Sequence, residues 1–116
     1  MSDFDDASLD VTTEQAAAAL ADGSAQVIDV REPHEWDAGH MEGARHVPLG
    51  ALQGQAETID RDAPVLFSCK TGGRSTMAAQ AFRAAGYRAF NVDGGIEKWV
   101  AEGRPIAPED GHVAQH

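Results

Sequence analysis

Cys69-Lys70-Thr71-Gly72-Gly73-Arg74 holds the chain's one cysteine, between the apolar run Val65-Leu66-Phe67 and a helical pattern that opens at Ser75. A thiol between a buried strand and a helix start sits where backbone N–H groups and the positive end of the helix dipole converge. Gly72 and Gly73 let the loop curl so that its amides point inward as an anion-binding nest. Lys70 and Arg74 add two formal positive charges to the same turn. Such surroundings favour thiolate over thiol and lower a cysteine pKa by one to several units from roughly 8.5. Each part has an ordinary structural use, the cysteine as a small buried hydrophobe and Gly-Gly as a turn. Strand, Cys, cation, two glycines, Arg, Ser and helix in that order make Cys69 a candidate nucleophile. Lys70, Thr71, Gly72, Gly73, Arg74 and Ser75 form the candidate cradle for an anion.

Upstream, Thr12-Thr13-Glu14-Gln15 predicts a helix start, with Thr12 as N-cap and Gln15 at the capping-box position. The alanine-rich run to Leu20 continues that helix and Asp22-Gly23 ends it. Ala25 to Val30 reads as a buried strand. Pro33 to Ala38, stopped by Gly39, is a second short helix with proline in a tolerated first-turn position. Ala44 to Val47 is a brief strand closed by Pro48, and Leu49 to Ile59 carries a weak helical pattern. Asp62-Ala63-Pro64 then turns the chain into the central strand, Val65 to Ser68.

Downstream, Met77, Ala78, Ala81, Phe82 and Ala85 mark one helix face, with Gly86 as its C-cap. Arg88 to Val92 is the last strand. Gly94-Gly95 leads into a helix carrying Ile96, Trp99 and Val100, which Gly103 and Pro105 stop. Alternating short strands and helices predict an α/β fold: an open, mainly parallel five-stranded sheet with helices on both faces. Ligands in such folds bind outside the carboxyl ends of strands, which is where Cys69 stands. The acidic residues 1–8 and the polar residues 107–116 are expected to be flexible tails around one domain, 9–106.

The chain's 116 residues suffice for one core, and 42% apolar with 24% charged content is that of a soluble globular protein. No run approaches the ~18 apolar residues of a membrane span, and no basic-then-apolar leader opens the chain. A single cysteine excludes an internal disulfide and fits a reducing, cytoplasmic compartment. His34, His40 and His46 lie six apart, unlike a zinc-ligand spacing, so neither metal nor cofactor is expected. The formal net charge of −10 repels nucleic acid and anionic membranes, leaving neither as a partner. Against that charge, the basic loop stands out as a place that attracts a small anion.

From about Thr12 to Pro105 the chain resembles the rhodanese superfamily, in its stand-alone single-domain form. Val27-Ile28-Asp29-Val30-Arg31-Glu32-Pro33-His34-Glu35-Trp36 resembles the first family signature. Gly39-His40-Met41-Glu42-Gly43-Ala44-Arg45-His46-Val47-Pro48 is similar to its continuation, with Met where Ile is commoner. Cys69-x-x-Gly72-x-Arg74-Ser75 resembles the active-site loop, and Gly94-Gly95-Ile96…Trp99…Gly103-x-Pro105 the closing signature. Any one alone is weak; four in this order are strong.

The resemblance implies transfer of a sulfane sulfur through a persulfide at Cys69, from a small anionic donor such as thiosulfate to a thiol or protein-cysteine acceptor. It also implies that the loop amides stabilise the persulfide and that Lys70 and Arg74 hold the donor's sulfonate end. With no second cysteine, the acceptor is external. Asp29, Arg31 and Glu35 are then structural support, Arg31 and Glu35 forming an ion pair that pins the following loop, and Trp36 and Trp99 are packing residues. Two alternatives stay open. A phosphatase or arsenate reductase on the same fold would place five residues between Cys and Arg, where this chain has four. A non-catalytic docking module would have no need of the cysteine.

Overall fold

Asp10–Val11 form a first strand, β1, and Thr12 then caps helix α1, Thr13–Asp22. The Thr12 hydroxyl accepts from the Gln15 N–H at 3.0 Å and the Gln15 side chain accepts from the Thr12 N–H at 2.8 Å, closing the predicted capping box. The structure, a computed structural model, describes residues 4–115. Strand β2 (Gln26–Asp29) leads to α2 (Pro33–Ala38), then to two short strands, β3 (His40–Met41) and β4 (Arg45–His46). Leu49 to Thr58 wind through tight turns around a four-residue helix, α3 (Leu52–Gln55). Then come β5 (Val65–Ser68), α4 (Gly73–Ala84), β6 (Ala89–Val92), α5 (Gly95–Ala101) and β7 (Ile106–Ala107).

The main sheet has five strands in the order β1-β6-β5-β2-β4, and every pairing in it is parallel. This is the predicted α/β architecture, with β5 at the centre. The strand that sequence patterning does not show is β1. Two residues carry no periodicity, and they extend because β6 lies beside them, Asp10 opposite Asn91.

Side chains alternate across a sheet, so one strand feeds two cores. Val65 and Phe67 on β5 point toward α4, into a cluster with Ile28, Val30, Ala79 and Phe82. Leu66 points the other way, into a cluster with Phe90, Ile96 and Trp99 beneath α1 and α5. Burying a side chain of this size contributes about 1.5–3 kcal/mol. Continuing the count from Val65 and Phe67 puts Cys69 on the α4 face. On β6 the same count sends Ala89 and Asn91 to that face.

The α4 pattern differs from expectation in two ways. The helix begins at Gly73 rather than Ser75, and its buried face is Ser75, Ala78, Ala79 and Phe82. Met77 is 62% exposed, and with Ala81 and Ala85 it borders an apolar groove shared with Leu49, Leu52 and Tyr87. The polar Ser75 concealed the true stripe, since it is buried by a hydrogen-bond network rather than by apolar contact.

The described parts of both ends lie against the domain; residues 1–3 and 116 are outside the described residues. Phe4 is buried with its ring 5.6 Å from that of Phe90, Arg88 pairs with Asp6 at 2.8 Å, and Arg83 donates to the Ser8 carbonyl at 2.7 Å. At the other end, β7 pairs antiparallel with β3, the His112 N–H donates to the Ala38 carbonyl at 2.8 Å, and Val113 packs on the core. Single apolar anchors and backbone pairing, which composition does not register, draw polar segments in. Among the described residues no helix is long and apolar enough to cross a membrane.

Candidate active site

Cys69 follows the last residue of β5 and is 2% exposed, in a short loop that ends where α4 begins. Gly72 closes that loop at φ 135°, a conformation that disfavours residues with a Cβ. Its N–H donates to Cys69 Sγ at 3.1 Å, and the Ser75 Oγ, one turn into α4, lies 3.3 Å from the same sulfur. Burial pushes the Cys69 thiol up. Hydrogen bonds from the Ser75 hydroxyl and from the backbone N–H groups of Ser75, Gly72 and Thr71 outweigh it and hold the thiol below its ordinary range.

A clamp from α5 keeps the loop in this shape. The N–H groups of Ile96 and Glu97 donate to the Cys69 and Lys70 carbonyls at 2.9 and 3.1 Å. With those carbonyls tied to a helix N-terminus, the loop's amides are left to face the sulfur. Gly95 makes the approach feasible. A Cβ there would lie 2.6 Å from the Lys70 carbonyl oxygen and closer still to that of Cys69. Gly95 thus has a steric reason that involves Cys69 directly.

Arg74 does not stand alone as a cation. Its Nη1 and Nη2 donate to Glu35 Oε1 and Oε2 at 2.7 and 2.9 Å, a two-point bridge from α4 to α2. The Glu35 side chain is 1% exposed, and the hydrogen bonds from Arg74 outweigh its burial, lowering its carboxyl to about 2. This corrects the expected pairing of Glu35 with Arg31. Arg31 is fully buried and closes on Asp29 instead, its Nε at 3.0 Å and its Nη2 at 2.7 Å from the carboxylate, and Nη2 also donates to the Gly39 carbonyl. Two residues past the strand, Arg31 has the Asp29 carboxylate beside its own backbone N–H at 3.0 Å, whereas α2 turns Glu35 toward α4. The Asp29–Arg31 pair is buried on both sides and Glu35 is buried behind a partly exposed Arg74, so the small worth of a fully exposed surface pair does not apply to them.

Lys70 is half-buried beside Cys69, and its ammonium makes no ion pair among the described residues; Thr71 is exposed. Trp36 is packed as expected, but stacked with two histidine rings rather than in the core, with centroids 3.4 Å from His40 and 4.8 Å from His46. His40 Nδ1 and His46 Nε2 lie 2.9 and 2.8 Å from the carbonyl oxygens of Trp36 and Arg31. Among the described residues no group of three or more His, Cys, Asp or Glu could hold a metal ion.

Sequence reading passed over Asn91. It is 3% exposed on β6, accepts from the Ser75 hydroxyl at 2.5 Å and donates from Nδ2 to Asp10 Oδ1 at 3.0 Å. The available signal was an amide at an α4-facing position of an otherwise apolar strand.

A buried, hydrogen-bonded thiol in a nest at the carboxyl end of a central parallel strand defines the class. The rhodanese-like domain family matches residues 12–102. The thiosulfate sulfurtransferase GlpE of Pseudomonas aeruginosa is 33% identical over 97 residues, 83% of this chain and 84% of that protein. YqhL of Bacillus subtilis is 45% identical over 76 residues, 65% of this chain and 60% of its own length, so the match spans less than two thirds of that relative. The structure of the human single-domain sulfurtransferase TSTD1 superposes with a TM-score of 0.75 at 27% identity, covering 82% of this chain and 97% of that one. The chain belongs to the rhodanese family.

Proposed function

We propose that the chain is a sulfurtransferase that carries a sulfane sulfur on Cys69, from thiosulfate or a persulfide donor to an external thiol or protein cysteine. The observation that carries this reading is the setting of the sulfur, 3.1 Å from the Gly72 N–H and 3.3 Å from Ser75 Oγ. Thiosulfate is the donor in the name of the Pseudomonas relative. The Cys69 thiolate attacks its outer sulfur, the bond to sulfite breaks, and sulfite leaves with the electron pair. The persulfide anion left behind sits among N–H donors already aimed at negative sulfur. A second thiolate, or cyanide, then takes the terminal sulfur and restores the Cys69 thiolate. The test is the mass of the Cys69 peptide. Thiosulfate should add one sulfur, ~32 Da, to an activated thiolate of this kind, and cyanide should remove it. No adduct from either thiosulfate or an organic persulfide would overturn the reading.

Lys70 supplies the charge that draws an anionic donor to the mouth. As a flexible point charge it acts on binding more than on the chemical step. Lys70→Ala is expected to raise KM for thiosulfate roughly ten-fold with kcat near that of the parent, the loss of one charge-assisted contact. Steady-state kinetics at low and high salt read this, and a fall in kcat at constant KM would contradict it.

Ring size separates sulfur transfer from phosphoryl chemistry. Four residues lie between Cys69 and Arg74, and the sulfur itself already occupies hydrogen-bond distance from Gly72 and Ser75. One glycine inserted between Thr71 and Gly72 would widen the loop while leaving Arg74 and Ser75 on α4. Each misplaced donor is worth a few kcal/mol of barrier, so sulfur transfer should fall by about 10²-fold while phosphate or arsenate binds more tightly. Parent and insertion proteins are compared on thiosulfate and an aryl phosphate. Efficient aryl phosphate hydrolysis by the parent would favour the phosphatase reading instead.

A further inference from the structure

We propose that Asn91 is a positioning residue that governs where the Ser75 hydroxyl sends its single proton, and thereby how readily Cys69 ionises. The inference rests on Cys69 being the nucleophile. Ser75 Oγ has one hydrogen and two acceptors within reach, Asn91 Oδ1 at 2.5 Å and Cys69 Sγ at 3.3 Å. The Asn91 amide cannot turn round to donate to Ser75, because its Nδ2 is committed to the Asp10 carboxylate at 3.0 Å. A flipped amide would set oxygen against oxygen there. Its backbone is held as well, the N–H donating to the Leu9 carbonyl at 2.8 Å. Asn91 is 3% exposed and Ser75 is fully buried, so bulk water does not compete for the proton.

The consequence is a two-position hydroxyl. While Cys69 is a neutral thiol, the shorter oxygen–oxygen contact keeps the Ser75 hydrogen on Asn91. Once the sulfur is an anion, a charge-assisted bond to it is the stronger of the two, and the hydroxyl rotates. The thiolate therefore gains its Ser75 bond only at the expense of the one to Asn91. Gly72, whose N–H points at the sulfur, lies near the same amide: a Cβ added there would stand 3.6 Å from Asn91 Nδ2 and 3.9 Å from Oδ1.

The charged groups around Cys69 are Lys70 in the loop, Arg74 on α4 with its partner Glu35 on α2, and Asp10 on β1 behind Asn91. At the end of β2, Asp29 and Arg31 neutralise each other, while Glu97 and Lys98 on α5 are exposed. An uncharged substitution at Asn91 leaves the charge of every one of these unchanged.

Asn91→Leu keeps the branched outline, is somewhat bulkier, and removes the acceptor together with the donor to Asp10. The rate of Cys69 alkylation by iodoacetamide as a function of pH reads the thiol's titration without any sulfur transfer. The midpoint should move down by about 0.5–1 unit, a three- to ten-fold gain in thiolate at a given pH below it. In a Ser75→Ala background the same substitution should move nothing. Asn91→Asp, which keeps the shape and adds a negative charge, should move the midpoint up. Unchanged midpoints in the Asn91→Leu and Asn91→Asp proteins, or a leucine shift that persists without Ser75, would overturn the proposal. A parent midpoint at the unperturbed ~8.5 would instead sink the nucleophile reading, and the Asn91 comparison would still be legible.

Discussion

Cys69→Ser should take up no sulfur from thiosulfate and should form thiocyanate at least ~10³-fold more slowly than the parent, the scale of loss when a nucleophile is removed. A hydroxyl in the same nest stays un-ionised at neutral pH, whereas the thiol's setting holds it below its ordinary range. The fold should survive, because serine is slightly smaller and its oxygen can still accept from the Gly72 N–H that now meets the sulfur at 3.1 Å. Activity and stability therefore come apart in this variant. Intact mass after thiosulfate, thiocyanate yield and a urea melt measure the two separately. Thiocyanate formation at the parent's rate would remove Cys69 from the mechanism. The sign with pH follows from the direction of the shift: a lowered thiol pKa keeps sulfur loading efficient below the unperturbed ~8.5, and the rate falls only as pH drops through the folded value.

Much of this could be read from local signals. The Thr12–Gln15 capping box and the Pro33-to-Gly39 helix lie within a few residues, and both formed as the sequence predicts. The placing of the thiol beside the Gly72 N–H was legible for the same reason, since Cys69 and Gly72 lie within one short stretch. What escaped were choices settled across the sheet. Arg31 and Glu35 are near neighbours in sequence and of opposite charge, yet each finds a different partner, Asp29 and Arg74. Spacing cannot decide between two cations competing for one carboxylate. β1 becomes a strand only beside β6, and β3 only beside β7. Asn91 meets Ser75 because strand alternation and the start of α4 put them on one face, a fact that neither local pattern contains.

Breaking the Glu35–Arg74 bridge should strongly destabilise the protein. Arg74→Ala takes the two-point cation from a carboxylate that is 1% exposed and leaves it neutral donors such as the Glu32 N–H, and breaking a buried pair on one side typically costs about 3–5 kcal/mol. That is a large share of the roughly 5–15 kcal/mol that holds a domain of this size together. The pH dependence identifies the cause. Glu35 is lowered from 4.5 to about 2 in the folded protein, so its stabilisation is fully present above the unfolded value and is lost as pH falls from about 5 toward 2. A shift of this size corresponds to about 3 kcal/mol at neutral pH. The parent should therefore weaken along that acid limb, while Glu35→Gln, with no charge to protonate, should show a shallower one. Arg74→Ala should be far below the parent at pH 7 and approach it near pH 3, where the stranded carboxyl is neutral. Arg74→Lys should not restore the parent, because an ammonium cannot make the two parallel bonds that tie α4 to α2. Urea unfolding at pH 7 and pH 3 tests the set. Equal losses for Arg74→Ala at both pH values would mean that packing, and not the buried charge, explains the bridge.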